Sequence, residues 1–267
     1  MNHLMIRPGI KVRLSRYDPA DTSAFPGSKR HARKETDRLT KELDHLQELL
    51  YACHGDPLLV VLQGLDTGGK DGTIRHVFEG LNPQGVRVVR FQVPTPIEKD
   101  HDFLWRVHPG VPAKGEIVIF NRSHYEDVLA ARVDRLATPK EWSSRYRAIN
   151  EFERTLHEAG TTILKFFLLI SPAEQRRRLQ ARLDDPTKHW KFSPADLTER
   201  DRWPLYTPAI EQMLERTSTP WAPWYLIPAD KKWFRNWAVS KILVDALARR
   251  RMKWPSLPSD ARTIRIP

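Results

Sequence analysis

The chain has 267 residues, of which 40% are hydrophobic, enough for one α/β domain with a sizeable core, and no apolar run reaches membrane-spanning length. A formal charge of +11, from 44 Lys and Arg against 33 Asp and Glu, points to polyanionic partners: nucleic acid, anionic lipid or phosphate-rich substrates. Cys53 is the only cysteine, which excludes a disulfide framework and a cysteine-built zinc site; the opening MNHLMIRPG lacks the layout of a secretory signal, so a cytoplasmic domain is expected.

The first 27 residues, rich in Pro, Asp, Gly and Ser, are expected to wrap the surface. From Ser28 to Tyr51, Leu39, Leu43, Leu46, Leu49 and Leu50 recur at three- and four-residue spacing and predict an amphipathic helix that Gly55-Asp56-Pro57 ends. Alternating units follow: strand 58–63 with helix 70–80, strand 86–93 with helix 97–108, and strand 115–121 with a helix from about 124. A long helix over 139–159 carries Trp142, Tyr146, Ile149, Phe152 and Leu156 on one stripe, and a strand over 161–170 comes after Gly160. Ser171-Pro172-Ala173-Glu174 has the spacing of a capping box and opens a helix that stops at Asp184-Asp185-Pro186. A KHWKF loop, a helix over 195–216, a strand over 224–228 and a C-terminal helix from Lys231 to Arg250 complete the chain. Strands alternating with helices predict a parallel sheet covered on both faces.

The most informative stretch is PLLVVLQGLDTGGKDGTIRHVF, an apolar strand feeding a glycine-rich turn that opens a helix. Glycines allow close backbone approach, and amides at a helix N-terminus converge on anions. The spacing Gly64-x4-Gly69-Lys70 fits a phosphate-binding P-loop, with Asp71 where Ser or Thr ordinarily holds Mg²⁺. Lys70 is the expected point charge on the phosphates. Gly64, Thr67, Gly68, Gly69, Asp71, Gly72 and Thr73 form the expected cradle. Asp66, a carboxylate beside anions, is tolerated if a Mg²⁺ ion bridges, so it is a candidate metal ligand; a turn-stabilising role is the alternative.

A second cluster follows the strand EIVIF: Asn121, Arg122, Glu126 and Asp127 stand where ligands of open α/β sheets bind. Asp127 is expected to join Asp66 at the metal, Glu126 to tune the acceptor site and Arg122 to clamp phosphate. Simple complementation of a helix dipole is the other reading of the two acids. A third cluster, Arg176, Arg177, Arg178 and Arg182 followed by Lys188-His189-Trp190-Lys191, reads either as a solvated basic face or as a lid over phosphates, with Arg178 and Arg182 on one side. The ten histidines form no metal set, and His124 is kept only as a candidate phosphorylated nucleophile. The tryptophans of WAPWYLIPADKKWFRNW read as core or subunit contacts in preference to a nucleic-acid platform.

Taken together, GLDTGGKDGTIR, FNRSHYEDVL, RLQARLDDPTKHWKF and STPWAPWYLIPADKKWFRNW resemble the polyphosphate kinase 2 family from about residue 10 to the C-terminal helix. The resemblance implies a three-layer P-loop kinase fold, thymidylate kinase-like, with a parallel sheet flanked by helices and a helical lid. It also implies a single domain over 1–267, with an N-terminal extension and helix over 1–55, a core over 56–250 and a lid region over 172–217. The implied chemistry is Mg²⁺-assisted phosphoryl transfer between inorganic polyphosphate and nucleotides. Carried onto this chain, the loop acid and lysine are Asp66 and Lys70, the strand-end set is Asn121, Arg122, Glu126 and Asp127, and the lid arginine is Arg178. NRSHYEDVL looks like the subgroup accepting both AMP and ADP, with ATP as product and guanine nucleotides as further candidates. Asn121 stands where Asp is more usual, which removes a metal ligand and an obvious base at that spot. A homo-oligomer is implied. An ATP-dependent nucleoside monophosphate kinase and a non-catalytic nucleic-acid-binding protein are the two rival readings.

Overall fold

The computed structural model describes residues 1–257 together with 261, 265 and 266. Six strands form one sheet: β1 (Met5–Ile6), β2 (Leu58–Gln63), β3 (Val86–Arg90), β4 (Ile117–Asn121), β5 (Thr162–Leu169) and β6 (Trp224–Pro228). They run in the order β1-β6-β5-β2-β4-β3, and every neighbouring pair is parallel except β1 with β6. The central strand β2 sets Val60 beside Ile119 of β4 and Leu164 of β5.

Because successive strand residues point to opposite faces, the apolar runs of β2, β4 and β5 feed two cores. On one face, Leu59, Val61, Val118, Phe120, Ile163 and Phe167 pack against α5 (Pro139–Glu158) and the later α8 (Trp203–Thr217). On the other, Leu58, Val60, Leu62, Ile119, Leu164 and Phe166 meet α1 (Lys29–Ala52) and α9 (Lys232–Ala248). The stripe of α5 behaves as its periodicity predicts: Tyr146, Ile149 and Phe152 are buried, and Trp142 and Leu156 pack at the margin. The result is three layers, helices over both faces of a mostly parallel sheet, as expected.

The remaining helices are α2 (Lys70–Val77), α3 (Pro96–Lys99), α4 (Ala130–Val133), α6 (Pro172–Leu183) and α7 (Pro194–Asp201). Several depart from the sequence pattern. The helix expected over 97–108 is only the four residues of α3 and a separate 3₁₀ turn at His108–Gly110; between them the Asp102 side chain accepts from the Leu104 amide, a local bond that competes with helix. The helix expected from 124 begins as a 3₁₀ turn, His124–Asp127, because Ser123 Oγ takes the nearby Tyr125 amide. The helix expected over 195–216 breaks at Arg202, where Pro204 opens a new first turn in α8. The N-terminal segment contributes the edge strand β1, two residues too short to leave a periodicity, with Met5 opposite Tyr225. At α6 the Ser171 hydroxyl accepts from the Glu174 amide, but the Ser171 amide donates to Asp230 Oδ1, so the capping box is only half formed.

Candidate active site

The carboxyl ends of β2 and β4 open onto a cavity of about 1210 Å³. Above β2 the chain turns through Gly64 to Gly69 and enters α2. Gly69 holds φ +104°, and a Cβ there would lie 2.0 Å from Arg235 Nη1, so only glycine fits. The Lys70 side chain folds back under the loop, where Nζ donates to the carbonyls of Gly64 (2.6 Å) and Leu65 (3.2 Å). Burial pushes the Lys70 ammonium down, and the neighbouring Asp66 carboxylate opposes that shift. Asp66 accepts from Arg122 Nη2 at 2.7 Å. Burial would raise the Asp66 carboxyl, but Lys70 and Arg122 outweigh it and hold it at about 2.

The end of β4 reaches the same place. Asn121 Nδ2 donates to Asp71 Oδ1 at 2.8 Å, tying the strand end to the first turn of α2, and Arg122 adopts φ +61° as it swings to Asp66. Glu126 accepts from Gln63 Nε2 at 3.1 Å, just below the loop. Thr73 is fully buried and its hydroxyl donates to the Gly69 carbonyl, so it stiffens the first turn of α2.

Helix α6 reaches the loop from the opposite side. Arg178 is buried, and Nη1 donates to the carbonyls of Thr67 (2.8 Å) and Gly68 (3.1 Å), while Nε donates to Glu174 Oε1 at 2.7 Å. These bonds make it a brace for the loop. Arg182 donates to Asp196 Oδ2 at 3.1 Å and so links α6 to α7. Asp66, Thr67, Gly69, Lys70, Asp71, Gly72, Asn121, Arg122, Arg178 and Arg182 all line the cavity; Gly64, Gly68, Thr73, Glu126 and Asp127 do not.

Asp127 faces two arginines. Its carboxylate lies 3.5 Å from Arg106 Nη2 and 3.7 Å from Arg145 Nη1, and its own carbonyl accepts from Arg145 at 2.9 Å. Two guanidiniums therefore flank Asp127, and Asp66 lines the cavity whereas Asp127 does not. Burial pushes the Asp127 carboxyl up in spite of both arginines.

Asp196 and Glu199 of α7 were not singled out by sequence. Burial and a hydrogen bond with Asp66 push the Glu199 carboxyl up to about 8, and burial likewise raises Asp196. Arg235 and Lys232, on the first turn of α9, also line the cavity, and their signal was a basic pair at i, i+3 hidden among tryptophans. Of those tryptophans, Trp224 and Trp237 are core, and Trp224 donates from Nε1 to Thr217 Oγ1; Trp221 and Trp233 are only partly buried, and Trp233 lines the cavity. His124 is fully buried with Nε2 3.4 Å from Glu153, which removes it as a nucleophile toward a ligand in the cavity.

Among the described residues no three acidic, cysteine or histidine side chains are arranged as a metal cage. Mg²⁺ ordinarily needs only one or two carboxylates, its other positions being filled by water and substrate phosphates. The ionised Asp66, with the oxygens of Asp71 and Asn121 nearby, fits that requirement.

Comparison with known proteins agrees with this geometry. A profile of the family described as polyphosphate kinase 2 matches residues 27–255. The chain is 56% identical to the AMP/ADP-polyphosphate phosphotransferase of Meiothermus ruber, over 96% of each chain. It is 42% identical to the ADP-polyphosphate phosphotransferase of Rhodopseudomonas palustris, over 92% of this chain and 89% of that one. The crystal structure of polyphosphate kinase 2 from Arthrobacter aurescens superposes with a TM-score of 0.92 at 44% identity, covering 96% of this chain and 93% of the other. With that match over most of its length and these relatives, the chain belongs to the polyphosphate kinase 2 family.

Proposed function

We propose that this protein transfers a phosphoryl group between inorganic polyphosphate and AMP or ADP, by direct in-line displacement. The observation that carries the reading is the convergence of Lys70, Arg122, Arg182, Lys232 and Arg235 with a single strongly acidic carboxylate, Asp66, around a glycine-rich turn. Such a cationic surface suits a long polyanion, and the names of the relatives from Meiothermus and Rhodopseudomonas support the substrate class.

An oxygen of the acceptor's terminal phosphate attacks the terminal phosphorus of the polymer. As that P–O bond forms, the bond to the next phosphate breaks, and the shortened polymer leaves with the electron pair. The attacking oxygen is already anionic at neutral pH, so no general base is required, in keeping with Asn121 at the strand end. The loop amides and Lys70 orient the reacting phosphates, and Arg122 offsets charge on the equatorial oxygens of the loose transition state. Arg178 acts one step removed, by holding the Thr67 and Gly68 carbonyls and thereby the loop. Mg²⁺, when held by Asp66 with Asp71 and Asn121 close by, supplies charge neutralisation on the transferring group.

A relative from Mycobacterium tuberculosis, 36% identical over 84% of this chain and 79% of that one, is named a GDP-polyphosphate phosphotransferase, which supports guanine nucleotides as further acceptors. A cytoplasmic setting and a homo-oligomer belong to the same proposal. Exposed Val88, Val93 and Ile97 beside the edge strand β3 support assembly, which sedimentation of the purified protein decides. Among the described residues no helix is long and apolar enough to cross a membrane.

The test is to incubate purified protein with Mg²⁺, long-chain polyphosphate and AMP, ADP or GDP in separate reactions and to resolve the nucleotides. Formation of the next higher phosphate is expected. Turnover with ATP plus a nucleoside monophosphate, and none with polyphosphate, would instead mark an ATP-dependent kinase.

A further inference from the structure

Arg235, at the start of α9, is a buried charge with no acid beside it among the described residues. It is only 2% exposed, held in place by the buried neighbours Phe234, Trp237 and Ala238. Among the described residues its guanidinium meets no acid: Nε and Nη2 donate to Asn236 Oδ1 at 3.1 and 2.8 Å, and Nη1 has no acceptor. Burial and the nearby Arg178 push the group down to about 10, and Lys232 is lowered by burial and by Arg178 and Arg235.

Its position makes the imbalance worse. Nη1 sits against Gly69 and Nη2 against Gly72, 2.0 and 3.3 Å from where their Cβ atoms would be. That is the N-terminal end of α2, which carries partial positive charge and favours anions. A buried cation pressed against a positive helix end, with Arg178 on the same glycine, is repelled from two directions. Arg178 differs, because Glu174 and backbone carbonyls take its donors. Arg235 lines the cavity with its charge unanswered.

We propose that Arg235 binds a phosphate oxygen of the substrate seated on the glycine-rich loop, so that α9 supplies part of the phosphate site. This assignment rests on the phosphotransfer reading above. A tetrahedral polyanion between the guanidinium and the α2 amides answers both positive groups at once, and the planar fork of arginine suits two phosphate oxygens. The contact is one of binding, with no bond made or broken at Arg235.

The experiment compares wild type with Arg235→Met and Arg235→Lys. Thermal midpoints are measured without ligand, with tripolyphosphate and, in a separate arm, with ADP; steady-state kinetics are measured for polyphosphate and AMP. Without anion, Arg235→Met is expected to melt no lower than wild type, since a buried unpaired charge has gone. Tripolyphosphate is expected to raise the wild-type midpoint and to leave that of the Met variant nearly unmoved. The KM for polyphosphate should rise about tenfold or more, with a smaller fall in kcat, and the Lys variant should lie between; a tenfold change corresponds to about 1.4 kcal/mol of binding. Loss of the shift in the ADP arm alone also supports the contact and assigns it to the nucleotide phosphates.

A Met variant that melts well below wild type yet keeps the full tripolyphosphate and ADP shifts overturns the proposal and makes Arg235 a packing residue. Should Arg235→Met fail to fold, Arg235→Lys serves alone: reduced anion shifts support the contact and unchanged shifts overturn it. Failure of the phosphotransfer reading is recognised separately, as wild type that makes no nucleotide product from polyphosphate while the anion shifts still report on Arg235.

Discussion

Two regions of this protein hold cations out of water, and they are built on opposite plans. Behind β5, Lys165 is fully buried and each of its three N–H groups has an acceptor: Glu153 Oε2 at 2.6 Å, Tyr125 Oη at 2.8 Å and the Thr217 carbonyl at 2.6 Å. Tyr125 donates in turn to Glu153 Oε1, and the rings of Tyr125 and Trp224 lie about 5 Å from the ammonium. Above the glycine-rich loop, Arg122 bonds Asp66, Lys70 lies close enough to lower the Asp66 carboxyl, Arg178 has Glu174, and among the described residues the Arg235 guanidinium meets no acid. The first set is neutral within itself and ties the segment after β4 to α5, β5 and the end of α8. The second is lined by more cations than acids, as a site for an anion requires. Internal balance therefore separates the charges that serve the fold from those that serve a ligand.

Substitutions sharpen that contrast. Lys165→Met should be the most damaging to stability, about 3–5 kcal/mol by denaturant unfolding, because it strands Glu153 uncompensated. Adding Glu153→Leu should restore most of the loss, since an apolar pair of similar volume often replaces a buried ion pair without penalty. In the cavity the order reverses: Lys70→Ala should fold normally while turnover falls by about 10²–10³-fold, the scale of removing one preorganised electrostatic group.

The two acids once expected to act together should part company. Asp66→Asn should lower turnover and raise the Mg²⁺ concentration needed for half-maximal rate. Asp127→Asn should cost about 1–3 kcal/mol of stability, as Arg106 and Arg145 lose their partner, with little change in the Mg²⁺ requirement. An equal shift in the Mg²⁺ titration of both variants would restore Asp127 to the metal.

A pH signature of the acids around Asp66 is read in Mg²⁺-free protein. Glu199 is raised from 4.5 to about 8, so the folded state holds the extra proton, and stability falls as pH rises through that window. Asp66 is lowered from 3.8 to about 2; its contribution is present above 3.8 and lost as pH falls toward 2. Glu199→Gln should flatten only the upper limb of a midpoint-against-pH curve. A curve identical to wild type would mean that the two carboxyls do not interact.

Legibility from sequence follows the same division. The strands β2, β4 and β5 announce themselves because burial on both faces demands unbroken apolar runs, and the loop because its glycines and lysine have fixed spacing. The sequence places Arg178 near the loop, where it lines the cavity, but does not show that its donors hold backbone carbonyls. Asp196 and Glu199 leave no signal, and Arg235 and Lys232 leave only a basic pair at i, i+3; each lies on a helix whose pattern reports packing, and only the tertiary fold turns that face toward the loop. Adjacency of Glu126 and Asp127 in sequence says nothing of direction in a 3₁₀ turn, where the two side chains part toward Gln63 and toward Arg106.

The most direct measurement is the initial rate of ADP formation from AMP, with long-chain polyphosphate as sole phosphoryl donor and Mg²⁺ present, in three proteins side by side. Wild type and the Lys165→Met/Glu153→Leu double variant should agree within about tenfold, while Lys70→Ala falls at least about 100-fold below them. Equal rates in wild type and Lys70→Ala, or no ADP from wild type, would contradict the claim that the unanswered positive charge above the loop is there to receive a phosphate chain.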